Sequence, residues 1–134
     1  MIMNRRKIKV QWGHCDPAGI VYYPRYFEMF DASTAALFEE AGFPKQELLK
    51  KFDIVGIPMV DTNAQFLAPA TFGDTIEVES RILEWGKSSF CVEHKIYKDE
   101  KLIATGFEKR VWTVKKKDVL KSEPIPDKVK KKFA

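Results

Sequence analysis

The stretch His14-Cys15-Asp16-Pro17-Ala18-Gly19-Ile20-Val21-Tyr22-Tyr23-Pro24-Arg25-Tyr26-Phe27 combines a tight Pro/Gly turn with the start of a helix. Proline is favoured at the first position of a helix, where its missing N–H costs nothing. Apolar residues then recur at helical spacing as far as Ala41, and Gly42 ends the pattern. The sequence therefore predicts a long helix over residues 24–41, preceded directly by a turn that carries one carboxylate, Asp16.

The middle of this predicted helix, residues 32–38, carries no charged side chain. A helix on a protein surface normally has a charged stripe. We therefore expect this helix to be enclosed for several turns, as it would be if a sheet wrapped around it.

The rest of the chain predicts mostly strands. A second short helix is expected at residues 45–52, and alternation of polar and apolar residues predicts strands at 7–12, 60–66, 75–85, 90–96 and 101–114. Asp99-Glu100 is the expected tip of a hairpin. The last strand has apolar residues on both faces, which predicts a β-bulge or two covered faces. One enclosed helix with several hairpin-linked strands indicates an α+β fold.

The composition predicts one domain over residues 1–134 with no internal boundary. We expect a cytoplasmic protein, because no apolar stretch approaches the length of a membrane span and no apolar run follows the basic N-terminal residues. Cys15, Cys91 and two distant histidines provide neither a disulfide framework nor the ligands of a metal site. No metal and no separate cofactor are expected.

The positive charge is concentrated at the C-terminus. The whole chain has a formal net charge of +4, whereas residues 115–134 alone contribute +5. Such a segment could contact nucleic acid, an anionic membrane or an acidic carrier protein. Because it lacks interleaved aromatic residues, we expect a solvated, partly frayed tail, with no nucleic-acid or membrane partner.

Asp16 is the candidate reactive group. The start of a helix has unpaired N–H groups and a positive dipole end, so a thioester carbonyl held there would be polarised beside a carboxylate. That carboxylate could attack the carbonyl as a nucleophile or activate water as a base. An aspartate in such a turn could equally cap its own backbone. The residues alone leave these alternatives open.

The stretch is similar to the signature of the 4-hydroxybenzoyl-CoA thioesterase family of hotdog-fold proteins, in which Asp-Pro-Ala-Gly-Ile-Val is followed by an aromatic residue, Tyr and Pro. The resemblance covers residues 8–114. It continues through Phe30-Asp31-Ala32, Gly42-Phe43-Pro44, Ile54-Val55-Gly56, Asn63-Ala64 before Phe66, and Glu84-Trp85 followed by Ser89-Phe90. It implies a curved antiparallel sheet around one long central helix.

The resemblance also implies an acyl-CoA thioesterase that acts on 4-hydroxybenzoyl-CoA or a similar aromatic acyl-CoA. Coenzyme A would then be part of the substrate. Asp16 would be the catalytic carboxylate and the Tyr23 backbone N–H would polarise the thioester carbonyl. A short- or medium-chain acyl-CoA or acyl-carrier-protein thioesterase, or an acyl-CoA-binding module without turnover, remains an alternative because a fold does not fix a pocket.

Further substrate contacts follow from the same resemblance. Asp31 would lie near the para-hydroxyl of the acyl group, although an i, i+3 surface contact near Arg25 and Glu28 is equally expected. Asn63 matches a site-lining asparagine. Lys87, Ser88 and Ser89 match the loop that holds the nucleotide phosphates of coenzyme A, with Gly86-Lys87 where relatives have arginine; a simple polar hairpin turn is the alternative.

Two histidines and the assembly complete the expectations. His14 stands where close relatives of the hydroxybenzoyl-CoA enzyme have aspartate. It could tune or share protons with the carboxylate two residues away near neutral pH, but we expect it to face solvent at the end of a strand. His94 falls in an apolar alternation and is expected to be a hydrogen-bonded core residue. A single sheet on one helix leaves edges uncovered, and the family's acyl-CoA site lies between subunits, so a homodimer or homotetramer is expected.

Overall fold

The computed structural model describes all residues, 1–134. In chain order it contains β1 (Met3–Lys9), a 3₁₀ helix (Trp12–His14), α1 (Tyr23–Glu40), α2 (Lys45–Phe52), β2 (Met59–Phe66), β3 (Thr75–Trp85), β4 (Ser89–Lys98), β5 (Lys101–Val111), β6 (Thr113–Lys116), β7 (Val119–Ser122) and α3 (Asp127–Lys132). None of these helices is long and apolar enough to cross a membrane.

The main sheet is antiparallel and has the strand order β1-β3-β4-β5-β2, and α1 packs against one of its faces. Alternate residues of the central strands form that face, as the sequence pattern predicts for Ile76, Val78, Ser80, Ile82, Phe90, Val92, His94 and Ile96, all of which are buried. This is the hotdog fold, and the predicted α+β class is confirmed.

Most predicted elements occur within a residue or two of their expected bounds, and α2 and β3 coincide with them. The first strand differs: it occupies Met3–Lys9, and the chain then forms a 3₁₀ helix instead of continuing to Trp12. The bulge expected in the last long strand is present. Ile103 is the extra residue between the pairs Ile96–Ala104 and Tyr97–Leu102, so Ile103 and Ala104 are both buried.

The prediction that α1 is enclosed holds on one side only. Ser33, Thr34, Leu37 and Phe38 are buried against the sheet, whereas Ala32 and Ala35 are exposed. The neighbouring edge strand β2 is also largely exposed. The uncharged middle of the helix is therefore covered by the sheet on one side and left open on the other.

The prediction of a solvated C-terminal tail is wrong. Residues 113–122 form the β6–β7 hairpin, and the chain then returns to the body of the domain. Ile125, Val129 and Phe133 are 4%, 0% and 2% exposed and belong to one of the two core clusters. Seven of the eight lysines of this segment are exposed and Lys130 is half-buried, but the three apolar side chains fix the segment to the core, so it is not frayed.

Candidate active site

A short backbone loop fixes Asp16 next to α1. The Asp16 N–H donates to the Ile20 carbonyl at 2.9 Å, and the Gly19 N–H donates to the Asp16 carbonyl at 2.9 Å. Gly19 has φ +83°, a conformation that glycine adopts without strain. Asp16 Oδ1 accepts a hydrogen bond from the Ala18 N–H at 2.8 Å, while Oδ2 has no partner. The carboxylate thus caps its own turn with one oxygen and keeps the other available for chemistry.

The helix start supplies a free donor beside this carboxylate. Tyr22 is the N-cap in extended conformation, and its N–H donates to the His14 carbonyl at 2.8 Å. The next residue, Tyr23, begins α1 and its N–H has no partner in the protein. Pro24 has no N–H, so Tyr23 provides the first backbone donor of the helix. A carbonyl oxygen bound there would meet this N–H and the positive end of the helix dipole.

Asp16 and Tyr23 line the same apolar cleft, which has a volume of about 400 Å³. The stacked rings of Tyr26 and Phe66, with centroids 5.2 Å apart, form part of its wall. Burial raises the pKa of the Tyr26 hydroxyl. The remaining lining is aliphatic and consists of Ile20, Val21, Leu67, Ala68 and Pro69. The cleft is suited to an apolar or aromatic group attached to a reactive carbonyl.

A larger groove of about 530 Å³ lies over β1 and β3, but its lining is mainly charged. Its Glu79 is paired with Arg5 at 3.0 Å. It has no unpaired donor at a helix start beside a carboxylate. The smaller apolar cleft is therefore the better candidate for acyl chemistry.

His14 lies near this loop without contacting Asp16. Its Nδ1 accepts a hydrogen bond from the Gln11 N–H at 2.9 Å, which closes the 3₁₀ helix. The ring is partly exposed, on a 3₁₀ helix and not at the end of a strand as expected. Its observed hydrogen bond is structural.

Asp31 makes a different contact from the surface pair that the sequence suggests. Arg25 pairs with Glu28 at 2.7 Å, whereas Asp31 Oδ1 accepts a hydrogen bond from Arg110 Nη2 at 2.7 Å. The Asp31 side chain is 63% exposed and that of Arg110 only 8%. The i, i+3 alternative is thus wrong. Asp31 lines a small cavity between α1 and α2, apart from the Asp16 cleft.

A buried polar network that the sequence analysis missed extends inward from Arg110. Glu108 is fully buried and accepts hydrogen bonds from Arg110 Nε at 3.0 Å and Thr34 Oγ1 at 2.5 Å. His94 lies 3.4 Å from Glu108 and its Nδ1 is 2.7 Å from Ser80 Oγ. Burial by itself would raise the pKa of Glu108, but hydrogen bonds from His94, Arg110 and Thr34 outweigh it and lower the pKa to about 2.

This network has the composition of a serine–histidine–acid triad, but it is structural. Ser80, His94 and Glu108 are each 0% exposed, so no substrate reaches them. The Phe30 ring stacks on His94 with centroids 4.7 Å apart. The expectation that His94 is a hydrogen-bonded core residue is confirmed. The sequence does contain a signal for this network: Glu108 and Arg110 are charged residues two positions apart in a strand and lie on the same face as Gly106.

The predicted phosphate loop lies at the other end of the sheet. Asp16 is adjacent to the start of β3 through the bridge between Ile20 and Thr71, whereas residues 87–89 follow the end of β3. Ten residue steps of strand separate the two ends by roughly 33 Å. The Lys87 carbonyl accepts a hydrogen bond from the Ile125 N–H at 2.9 Å, so the C-terminal segment holds the loop. Lys130 Nζ donates to the Gly86 carbonyl at 3.0 Å and adds a cation there.

Asn63 is exposed on the edge strand β2 and lines neither cleft. Within one chain, the fold therefore brings together Asp16 and Tyr23 only. Asp31, Asn63 and the Lys87-Ser88-Ser89 loop occupy three other places. No group of three His, Cys, Asp or Glu side chains is arranged to hold a metal ion.

Comparison with known proteins gives consistent matches over nearly the whole chain. The model of the thioesterase-like superfamily matches residues 10–133. The 4-hydroxybenzoyl-CoA thioesterase of Pseudomonas sp. (strain CBS-3) is 32% identical over 125 residues, which are 88% of this chain and 88% of that protein.

Solved structures agree in fold. A gentisyl-coenzyme A thioesterase is 36% identical, with a TM-score of 0.84 over 97% of this chain and 98% of that chain. A 4-hydroxybenzoyl CoA thioesterase variant with one aspartate changed to asparagine, complexed with 4-hydroxybenzoyl CoA, is 28% identical, with a TM-score of 0.92 over 98% of this chain and 99% of that one.

Proposed function

This chain belongs to the thioesterase-like superfamily and is a thioester hydrolase, and from that premise we propose that it cleaves aromatic acyl-CoA thioesters to the free acid and coenzyme A, with Asp16 as the reacting carboxylate. The observation that carries this proposal is the pairing of a free carboxylate oxygen on Asp16 with the unpartnered Tyr23 N–H in one apolar cleft. Acyl transfer requires both groups.

Two properties favour an aromatic acyl group. The cleft wall includes the stacked rings of Tyr26 and Phe66, which offer an aromatic ring favourable offset or edge contacts. Similar proteins are named for 4-hydroxybenzoyl-CoA and gentisyl-coenzyme A, both hydroxylated aromatic thioesters. A hydroxylated benzoyl group is therefore the first substrate to test.

In the proposed reaction the thioester oxygen lies against the Tyr23 N–H at the start of α1. Negative charge develops on that oxygen when the carbonyl carbon is attacked, and one such donor lowers the barrier by roughly 3 kcal/mol. Asp16 Oδ2 either attacks the carbon and displaces the thiolate of coenzyme A, giving an anhydride that water then cleaves, or removes a proton from the water that attacks. Both routes end in a carboxylic acid and a thiol.

The other proposed substrate contacts require a second copy of the chain. Asp31, Asn63 and the Lys87-Ser88-Ser89 loop lie away from the Asp16 cleft in one chain, so we assign them to the site only as contributions from a neighbouring subunit. The open side of α1 and the exposed edge strand β2 offer the surface for such a neighbour. The loop, together with Lys130, would bind the phosphates of coenzyme A.

Replacement of Asp16 by asparagine tests the catalytic assignment. Asn keeps the size of the side chain and its hydrogen bond to the Ala18 N–H but is neither a nucleophile nor a base, so kcat should fall at least about a thousandfold while substrate still binds. Turnover is measured with 4-hydroxybenzoyl-CoA, benzoyl-CoA and an aliphatic acyl-CoA. Asp118→Asn, in an exposed turn, is the matched control.

Wild-type turnover in the Asp16→Asn protein would refute the catalytic role of this residue. A single turnover of the wild-type protein in isotopically labelled water tests for the anhydride. Label in the Asp16 carboxylate shows that an anhydride formed and was cleaved at the Asp16 carbonyl, whereas label in the acid product alone is the result of the general-base route or of water attack at the acyl carbonyl of the anhydride.

A further inference from the structure

We infer that Arg110, fixed in place by the buried Glu108, is a positioning residue that orients the Asp31 carboxylate and thereby selects acyl groups that carry a hydroxyl. The inference rests on the proposed function, in which Asp31 of a neighbouring subunit contributes to the site, and on the expectation from the family resemblance that Asp31 lies near the hydroxyl of the acyl group. It concerns the contacts that hold the Asp31 carboxylate in place. These contacts all lie within one chain and do not depend on how the subunits assemble.

The guanidinium of Arg110 is held on three sides. Its Nε and Nη2 donate to the two carboxylate oxygens of Glu108 at 3.0 and 3.2 Å, and Nη1 donates to the Ile57 carbonyl at 3.1 Å. The side chain is 8% exposed. A planar group with this many fixed contacts has little freedom to move. Its remaining contact, from Nη2 to Asp31 Oδ1 at 2.7 Å, therefore defines where the Asp31 carboxylate sits.

Glu108 is itself fixed by the core. Its Oε1 accepts the hydroxyl of Thr34 on α1, and His94 on β4 lies against the same oxygen. The chain of contacts thus connects α1 and β4 to β5 and returns to α1 at Asp31. Because every link except Asp31 is buried, the carboxylate position is set by the protein interior and not by surface side chains.

The charges leave Asp31 available to a ligand. The Glu108 carboxylate already neutralises the charge of the buried Arg110 guanidinium. The negative charge of Asp31 is therefore not fully neutralised, although Asp31 contacts the same guanidinium. Asp31 Oδ2 has no hydrogen bond, and the side chain is mostly exposed at a cavity of about 40 Å³. Lys45 also lines this cavity, but it is exposed and in no ion pair. A fixed acceptor of this kind favours a phenolic hydroxyl, which donates one hydrogen bond.

The test measures the ratio of kcat/KM for 4-hydroxybenzoyl-CoA to that for benzoyl-CoA, which differ by the hydroxyl alone. In the Arg110→Lys protein, a lysine keeps the charge next to Glu108 but cannot contact both carboxylates in fixed geometry. We expect the ratio to fall about tenfold, the range of one hydrogen bond to a charged group. Asp31→Asn should lower it as much, and the double variant no further. Arg81→Lys, in the Arg81–Glu93 pair on the sheet, is the matched control and should keep the wild-type ratio.

Several results would overturn the inference. The inference is wrong if a folded Arg110→Lys protein keeps the wild-type ratio, or if it loses kcat/KM equally on both substrates, which indicates a purely structural role. It is also wrong if the effects of the two substitutions on the ratio add in the double variant. If Arg110→Lys does not fold, Asp31→Glu decides, because it moves the carboxylate by one methylene at an exposed position. A tenfold lower ratio supports positioning and an unchanged ratio refutes it. A wild-type ratio near one refutes this inference, whereas absence of turnover on every acyl-CoA refutes the proposed function.

Discussion

Replacement of Phe133 by alanine is expected to destabilise the domain strongly, although Phe133 is the penultimate residue of a lysine-rich segment. Its ring is 2% exposed and packs edge-on against Phe38 and Trp85, with centroid distances of 4.9 and 5.4 Å. Its carbonyl accepts a hydrogen bond from the Ile2 N–H at 3.0 Å. The side chain therefore joins the C-terminal segment to α1 and to the end of β3, and the backbone of the same residue contacts the N-terminus.

The magnitude follows from the buried surface. Truncating a fully buried phenylalanine to alanine costs about 3–5 kcal/mol, from lost transfer free energy and the cavity that remains. Deleting everything after Val119 also removes Ile125 and Val129 from the core, at about 1.5–3 kcal/mol for each of the three side chains. That loss is comparable with the whole stability of a typical domain, about 5–15 kcal/mol. A solvated tail could be deleted without loss of activity, but because these three side chains are buried we expect that the shortened chain does not fold.

Urea unfolding at one fixed protein concentration, followed by circular dichroism, measures the effect. Lys132→Ala is the matched control, because Lys132 is the exposed neighbour of Phe133 and should change stability by no more than about 0.5 kcal/mol. The packing argument fails if Phe133→Ala costs less than about 1 kcal/mol. It also fails if the chain that ends at Val119 unfolds cooperatively at the wild-type urea concentration.

Three further predictions concern assembly, acid stability and packing. Light scattering in dilute solution should give at least a dimer, because β2 and one side of α1 are uncovered; a fully active monomer would contradict this. The pKa of Glu108 is lowered to about 2 from an ordinary 4.5, so its ionised carboxylate adds about 3 kcal/mol to the free energy of unfolding above pH 4.5, and this contribution is lost as the pH falls toward 2. In Glu108→Gln the free energy of unfolding should therefore change less steeply with pH in this range. Gly106→Ala should destabilise by about 1–3 kcal/mol in urea unfolding, because its Cβ would lie 2.5 Å from the Phe30 ring; an unchanged midpoint would show that the ring moves aside.

The local pattern of the sequence was sufficient for the helices α1 and α2, for β3 and β4, and for the position of Asp16 before α1. Each depends on contacts between residues close in the chain or on a regular alternation, such as Ile76, Val78, Ser80 and Ile82 on one face of β3. The turn between Asp16 and Pro24 and the free Tyr23 N–H follow from the backbone rules for glycine, proline and helix starts. These features could be predicted because they need no knowledge of distant partners.

The C-terminal segment could not be predicted in this way. Its charge suggests a solvated tail, and Ile125, Val129 and Phe133 are too few to give a long helical pattern. All three are buried in a core cluster with residues remote in sequence, and Phe133 packs directly on Phe38 and Trp85. The first strand ended early for a similar reason: the chain turns at Trp12 to reach the loop that holds Asp16, and the alternation of residues 7–12 does not contain that information.

The sequence by itself determined the fold class, the central helix and the pairing of a carboxylate with a helix start, because these arise from local backbone chemistry and hydrophobic periodicity. Only the tertiary structure decided that Glu108 and Arg110 are buried and that Arg110 contacts Asp31, 79 residues away. It also placed residues 87–89 at the opposite end of the sheet from Asp16. The physical reason is that burial of a charge is favourable only when a partner is present, and that partner is supplied by strand pairing and helix packing over long distances along the chain.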